Sequence, residues 1–355
     1  MPLQLLRIID ANLNRSSEGL RVLEDIARFL LNDARLTQKL RTIRHSLARE
    51  TRPLSTKLLS QRDSARDVGR SEENIAAKSE ATWQSHEDLA DLIRANAKRV
   101  GESLRVLEES AKLPEMHSLL DSVEFEQARF TLYTLEQELL SRVLRQDKTK
   151  WINGLYVILD RQALAGRDEI EIASRVIDGG ASVIQLRDKQ GSKSELVLIA
   201  RKLKELCAEA GILFIINDYL DLALAIDADG LHIGQEDLPL PSIRKELPID
   251  KIIGCSVNTV SQAVRAQEEG ADYIAVGSIF PTPTKKDATV VGINGLKEVK
   301  HVISCPLVAI GGINEDNAGR VMAAGADSIA VISAVSDKDD IKGAVERLIA
   351  TMDKE

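Results

Sequence analysis

From about Trp151 onward, short β-branched apolar runs alternate with helical stretches, and this alternation leaves few folds open. The runs are 155–159, 183–186, 213–216, 230–233, 252–255, 273–276, 307–310 and 328–332. Helical stretches at 170–178, 193–210, 219–226, 260–269 and 315–324 separate most of them. Eight strand–helix units in about 200 residues fit a closed (β/α)8 TIM barrel. A doubly wound open sheet is the rival, but no Gly-x-Gly-x-x-Gly follows the first run. The expected class is therefore α/β, with a C-terminal barrel.

Residues 1–145 read differently. Helical spacing predicts helices over 5–32, 36–49, 87–112 and 123–145, with a polar loop over 51–85 that holds Pro53 and Gly69. An internal repeat runs through this half. Ala11-Asn12-Leu13-Asn14-Arg15-Ser16-Ser17-Glu18-Gly19-Leu20-Arg21-Val22-Leu23-Glu24 returns, from Ala95, as Ala95-Asn96-Ala97-Lys98-Arg99-Val100-Gly101-Glu102-Ser103-Leu104-Arg105-Val106-Leu107-Glu108. Asn12, Arg15 and Glu18 fall on adjoining turns, as do Asn96, Arg99 and Glu102. Two readings follow: a duplicated helical hairpin tied by inter-helix Arg–Glu pairs, or a pseudo-symmetric pocket in which Arg15, Arg99 and the asparagines meet an anion. The expected organisation is an all-α domain with an internal duplication at 1–145, followed by the barrel at 146–355.

Length and charge bound the rest. A chain of 355 residues is long enough for two cores. Its net charge of −8 argues against a nucleic-acid surface. No apolar run approaches the roughly 20 residues that span a bilayer, and 1–10 lacks a signal-peptide core, so neither membrane insertion nor export is expected. Cys207, Cys255 and Cys305 are far apart, without metal-ligand spacing, and read as reduced buried thiols. A cytoplasmic enzyme is expected, and a homo-oligomer is compatible with the sequence.

Polar motifs close the apolar runs, and in a barrel the strand ends converge on the face where chemistry is built. Gly311-Gly312 after the seventh run and Ser333 after the eighth suit a phosphate, because glycines let backbone N–H groups approach an anion. The alternative is a pair of ordinary tight turns. Thr282-Pro283-Thr284-Lys285 follows the sixth run and offers two hydroxyls and an ammonium as a second anion contact. Asp218 and Asp237 close the third and fourth runs; two carboxylates completed by substrate phosphate oxygens are the usual setting for Mg²⁺. A competing role for Asp218 is to N-cap the following helix. Arg187 and Lys189 alternate at the end of the second run and so point the same way. With Lys285 and a metal they would neutralise a diphosphate. The neutral groups Gln185, Asn217 and Ser256 suit a polar heterocycle. His232, inside the fourth run, reads as an oriented or core histidine rather than a general base. The set describes one metal-bound diphosphate beside a separate monophosphate, with catalysis by positioning and charge stabilisation.

At these residues the chain closely resembles the thiamine-phosphate synthase family. The motifs are Gln185-Leu186-Arg187-Asp188-Lys189, Asn217-Asp218, Asp229-Gly230-Leu231-His232-Ile233-Gly234-Gln235-Glu236-Asp237, Pro281-Thr282-Pro283-Thr284-Lys285 and Ile332-Ser333. The resemblance implies a Mg²⁺-dependent transferase that joins 4-amino-5-hydroxymethyl-2-methylpyrimidine diphosphate to a thiazole phosphate and releases diphosphate. It implies pyrimidine diphosphate contacts from Gln185, Arg187, Lys189, Asn217, Ser256 and Lys285, with Arg187, Lys189 and Lys285 catalytic. It implies Mg²⁺ at Asp218 and Asp237. Thr282, Pro283, Thr284, Gly311, Gly312, Ile332 and Ser333 would hold the thiazole phosphate. The implied mechanism is dissociative and uses no side-chain nucleophile. A thiazole tautomerase on the same barrel is the nearest rival, and it would need no diphosphate site. The helical half resembles a domain linked with phosphorylation of the pyrimidine monophosphate, through the repeat and the Arg62…Asp67-Val68-Gly69 stretch. ATP would then be its co-substrate, although no Gly-x-x-x-x-Gly-Lys-Ser/Thr loop is present. A non-catalytic binding or oligomerisation role is the alternative.

Overall fold

The computed structural model describes residues 3–61, 88–282 and 289–352. The chain divides into two compact units, Met1–Leu144 and Arg145–Glu355.

The first unit is helical: α1 (Leu3–Asp25), a π-turn (Ile26–Leu30), α2 (Ala34–Glu50), a short α3 (Ser55–Ser60) and α4 (Leu89–Ala111), with α5 (Ser122–Thr149) starting in this unit. Side-chain caps fix two of these starts: Asp33 accepts from Leu36 N before α2, and Asp88 accepts from Asp91 N before α4. Helix α3 occupies part of what the sequence presents as loop, while residues 62–87, including Arg62, Asp67, Val68 and Gly69, lie outside the described residues. The two repeat copies form most of α1 and α4, which pack on each other. Gly19 permits the approach, since a Cβ there would press into Val100. Leu20, Leu23, Leu104 and Leu107 are fully buried between helices, each contributing about 1.5–3 kcal/mol.

The repeat's polar residues separate into inward and outward sets. Asn12 and Asn96 are buried and donate to carbonyls of their own helices, Ile8 O and Leu92 O, both at 2.8 Å. Arg15, Arg99, Glu18 and Glu102 are exposed. The inter-helix pairs form instead at the last residue of each copy. Glu24 accepts from Arg41 at 2.8 Å and Arg44 at 2.9 Å, both on α2. Glu108 accepts from Arg129 on α5 at 2.9 Å and from Lys112 at 2.8 Å. Burial pushes both carboxyls up, but the bonds from their cations outweigh it and hold both below the usual range. The duplicated, salt-bridged hairpin is therefore what the structure contains, tied by Glu24 and Glu108.

The second unit is a closed barrel of eight parallel strands in sequence order: β1 (Gly154–Asp160), β2 (Val183–Arg187), β3 (Leu213–Asn217), β4 (Gly230–Ile233), β5 (Ile252–Val257), β6 (Tyr273–Val276), β7 (Leu307–Ile310) and β8 (Ser328–Val331). The principal crossover helices are α6 (Glu169–Asp178), α7 (Lys193–Ala210), α8 (Leu220–Ala225), α9 (Leu240–Glu246), α10 (Val260–Glu268), α11 (Gly292–Val302) and α12 (Ala318–Met322), and α13 (Ile341–Met352) follows the last strand. Helix α7 shows how local sequence sets their bounds. Ser192 caps its start by accepting from Glu195 N, and Gly211 ends it in the left-handed conformation, φ 69°.

Nearly every strand residue is buried because helices cover the outer face and side chains fill the lumen. Tyr156, Ile158, Val183, Leu213, Ile215, Ile252, Tyr273 and Val308 form the inner core. The period of two then fixes what else points inward. Gln185 and Arg187 follow Val183, Asn217 follows Ile215, and Ser256 follows Ile252. Gly254, on the same line of β5, leaves the space that the Tyr273 ring occupies. Cys207 and Cys255 are buried and Cys305 half-buried; burial pushes their thiols up to about 12, 11 and 12 respectively.

Candidate active site

A cavity of about 990 Å³ opens at the C-terminal ends of the barrel strands. One wall comes from β2–β5. Gln185, Arg187, Lys189, Asn217, Asp218, Asp237 and Ser256 all line it. The other wall comes from the ends of β6–β8, where Thr282, Gly311, Gly312, Ile332 and Ser333 line it. Pro283, Thr284 and Lys285 lie outside the described residues.

The acidic pair is the electrostatic centre. Asp218 sits just past β3 with φ 62°, a left-handed backbone that Asp tolerates better than most residues. Its N–H donates to His232 O at 2.9 Å, which ties the turn to β4. It does not cap α8, whose N-cap is Tyr219 and carries no side-chain cap. Asp237 accepts from Gly234 N at 2.7 Å, so a tight turn after β4 aims it back at the cavity. Burial first, then the neighbouring Asp237 carboxylate, pushes Asp218 up to about 6; Lys189 and Arg187 pull in the other direction without prevailing. Hard oxygen donors this close, with their charge uncompensated, fit a divalent cation. Among the described residues no group of three or more His, Cys, Asp and Glu surrounds a common point.

Arg187 and the loop that carries Lys189 are held by two acids, Asp160 and Asp188, that were not among the candidate site residues. Arg187 bonds to Asp160, the buried last residue of β1, whose other oxygen accepts from Gln162 N at 3.1 Å. Asp188 points away from the cavity wall and shapes the loop that carries Lys189. It accepts from Gln190 N, Gly191 N and Arg161 at 2.8, 2.9 and 2.7 Å. Burial pushes the Asp188 carboxyl up, and those three donors bring it below the usual range. The signal for Asp160 was a lone acid ending an apolar run one residue beyond 155–159.

The neutral groups form a buried network. Gln185 Nε2 donates to Asn217 Oδ1 at 2.6 Å, and Tyr156 OH donates to Gln185 Oε1 at 2.7 Å. His232 contacts Tyr273 OH through Nδ1 at 3.0 Å and Ser256 Oγ through Nε2 at 2.8 Å. Burial lowers His232 to about 4, so the ring is neutral at ordinary pH and serves as an oriented group. Sequence reasoning missed Tyr156 and Tyr273, which lie within strands and read as core; the glycine at 254, inside an otherwise apolar run, was the available sign of a large neighbour.

Opposite them, Gly311 and Gly312 take φ 103° and 65°, and a Cβ at either would collide with Ser278 or with the Phe280–Pro281 backbone. Only glycine fits this turn, which brings backbone close to the cavity. Ser333 opens a one-turn helix, Ser333–Ser336, immediately after β8.

Comparison with known proteins agrees with this geometry. Residues 155–335 match the Thiamine monophosphate synthase family, and residues 7–138 match the ThiD2 family. The thiamine-phosphate synthase of Synechococcus sp. is 35% identical over 359 residues, covering 99% of this chain and 97% of its own. That of Moorella thermoacetica is 49% identical over 195 residues, covering 55% of this chain and 93% of its own. Among solved structures, the thiamine phosphate pyrophosphorylase from Pyrococcus furiosus superimposes with a TM-score of 0.54 at 41% identity, covering 57% of this chain and 96% of that one. With a barrel of this order, this set of strand-end residues and relatives that match along the whole chain, the protein belongs to the thiamine-phosphate synthase family and is a transferase.

Proposed function

We propose that the barrel joins 4-amino-5-hydroxymethyl-2-methylpyrimidine diphosphate to a thiazole phosphate, in its carboxythiazole or hydroxyethylthiazole form, yielding thiamine phosphate and diphosphate. The carrying observation is that an uncompensated carboxylate pair, two cations and a polar amide pair share one cavity with a glycine turn suited to phosphate. Gln185, Asn217 and Ser256 orient the pyrimidine. Arg187 and Lys189, joined by Lys285, neutralise the diphosphate and stabilise the charge that grows as its C–O bond breaks. Thr282, Pro283, Thr284, Gly311, Gly312, Ile332 and Ser333 hold the thiazole phosphate, whose ring nitrogen supplies the electron pair for the new C–N bond. Asp218 and Asp237 would hold Mg²⁺, which when bound supplies positive charge to diphosphate oxygens. A tautomerase on this barrel would have no use for the carboxylate pair.

Purified protein given both substrates and Mg²⁺ should release thiamine phosphate and diphosphate in equal amounts. Unchanged turnover in a variant carrying both Asp218→Asn and Asp237→Asn would discard the proposal.

For the helical unit we propose phosphorylation of the pyrimidine monophosphate by ATP, which would make the barrel's substrate. Its support is the match of residues 7–138 to the ThiD2 family and the full-length relatives. The full chain supplied with ATP, the monophosphate and thiazole phosphate should form thiamine phosphate. A chain active with the diphosphate and inactive with that mixture would leave this unit a binding or oligomerisation role.

A further inference from the structure

Six polar side chains make one continuous hydrogen-bonded chain through the barrel interior, and its two ends, Asn217 and Ser256, both reach the β2–β5 wall of the cavity. In order they are Asn217, Gln185, Tyr156, Tyr273, His232 and Ser256, with successive separations of 2.6, 2.7, 2.9, 3.0 and 2.8 Å. The inner four are at most 7% exposed, so water does not substitute for any of these bonds.

Gln185 presents Oε1 to Tyr156 and Nε2 to Asn217, and because each phenol has one proton this amide orientation sets the direction of every other bond. Tyr156 gives its proton to Gln185 Oε1 and so accepts from Tyr273. Tyr273, having given its proton to Tyr156, accepts from His232 Nδ1–H. A neutral imidazole protonated at Nδ1 has a lone pair at Nε2, which takes the proton of Ser256. At the other end Gln185 donates to Asn217 Oδ1. The chain therefore reaches the cavity with opposite polarity at its two ends: amide N–H donors at Asn217 and an oxygen lone pair at Ser256.

We infer that Tyr156, Tyr273 and His232 are positioning residues that set the hydrogen-bonding polarity of this wall, and that the wall thereby selects an aminopyrimidine over its deaminated counterpart. An aminopyrimidine places an acceptor ring nitrogen beside a donor amine, the complement of Asn217 and Ser256. The deaminated ring, as its oxo tautomer, reverses both, leaving each wall group facing its own kind. The ligand class rests on the function proposed above; the direction of the chain rests on the orientation of the Gln185 amide.

Two measurements test this. In the resting wild-type protein, 15N NMR of His232 should show the neutral Nδ1–H tautomer; an Nε2–H tautomer or an imidazolium would overturn the inference, whatever the enzyme's substrate. Next, the pyrimidine diphosphate and its deaminated analogue should be compared as ligands for wild type, Tyr156→Phe and Tyr273→Phe. The wild type should prefer the amino form by about 100-fold or more, because the wrong ring leaves buried polar groups unpaired. Either phenylalanine variant should reduce that preference to about 10-fold or less while the KM for thiazole phosphate stays within about twofold. A preference that persists in both folded variants would assign the tyrosines to packing alone, as would a parallel loss of affinity for both rings.

Discussion

Both units contain carboxylates withdrawn from water, but the two sets are treated in opposite ways. In the helical unit Glu24 and Glu108 each gather two or more cations, and their carboxyls sit below the ordinary range. At the barrel mouth Asp218 faces another carboxylate and is pushed up to about 6, although Arg187 and Lys189 are near. A buried charge completed by its own chain holds helices together; one left incomplete is costly to the free protein and repays that cost only when something arrives. The contrast separates scaffold from site without reference to any relative.

The sharpest way to break it is to remove the incomplete charges. Asp218→Asn combined with Asp237→Asn should lower turnover by about 10²–10³-fold while leaving thermal stability unchanged or raised. Asparagine keeps the left-handed backbone at 218 accessible, so lost activity with intact unfolding would be an effect of charge. A variant that unfolds early would show that the pair is structural after all. Next in size is Glu108→Gln, which strips Arg129 of its buried partner and should cost about 3 kcal/mol, read as an earlier unfolding transition in urea. The smallest effect is with pH. Asp218's carboxyl lies above its unfolded value of 3.8, so its contribution to stability is full below about pH 4 and is lost as pH rises through about 6. Glu24 and Glu108 lie below theirs, 4.5, so their contribution is present above pH 4.5 and is lost as pH falls. Within the barrel, buried neutral His232, lowered to about 4, and the paired Asp188 lose stability as pH falls and so oppose Asp218. Calorimetry of the metal-free protein should therefore show the barrel transition falling further between pH 7 and 4 in Asp218→Asn than in wild type, and Mg²⁺ should remove Asp218's share of that difference.

Much of the barrel could be read from residues because parallel strands covered on both faces leave an unmistakable apolar run. Three of the eight, at 230–233, 273–276 and 307–310, coincide with observed strand bounds, and 183–186, 213–216 and 328–332 differ from them by one residue at one end. Crossover helices were less legible. Helix α9 begins at Leu240 between Pro239 and Pro241, and α11 contains Gly292 and Gly295, residues that signal turns when context is unknown. The residues at strand ends stood out because polarity interrupts an apolar pattern there. The supports behind them did not: Asp160 falls one position past its run, and Tyr156 and Tyr273 look like any aromatic core residues until the closed sheet brings them together. In the helical half the repeat drew notice to Arg15 and Arg99, which face solvent, and away from Glu24 and Glu108, whose partners come from the following helices. Pairings that cross between helices leave no trace in local spacing.

The fit of Gly254 against the Tyr273 ring has a practical consequence for anyone reshaping this pocket. Apart from the ring-conserving Tyr273→Phe, neither position can be varied alone: any side chain at 254 displaces the ring, and a residue smaller than phenylalanine at 273 opens a hole beside a strand with nothing to fill it. Directed evolution by single steps would find every other first move penalised. Paired mutagenesis of the two codons is the route by which this lumen can be given a new shape.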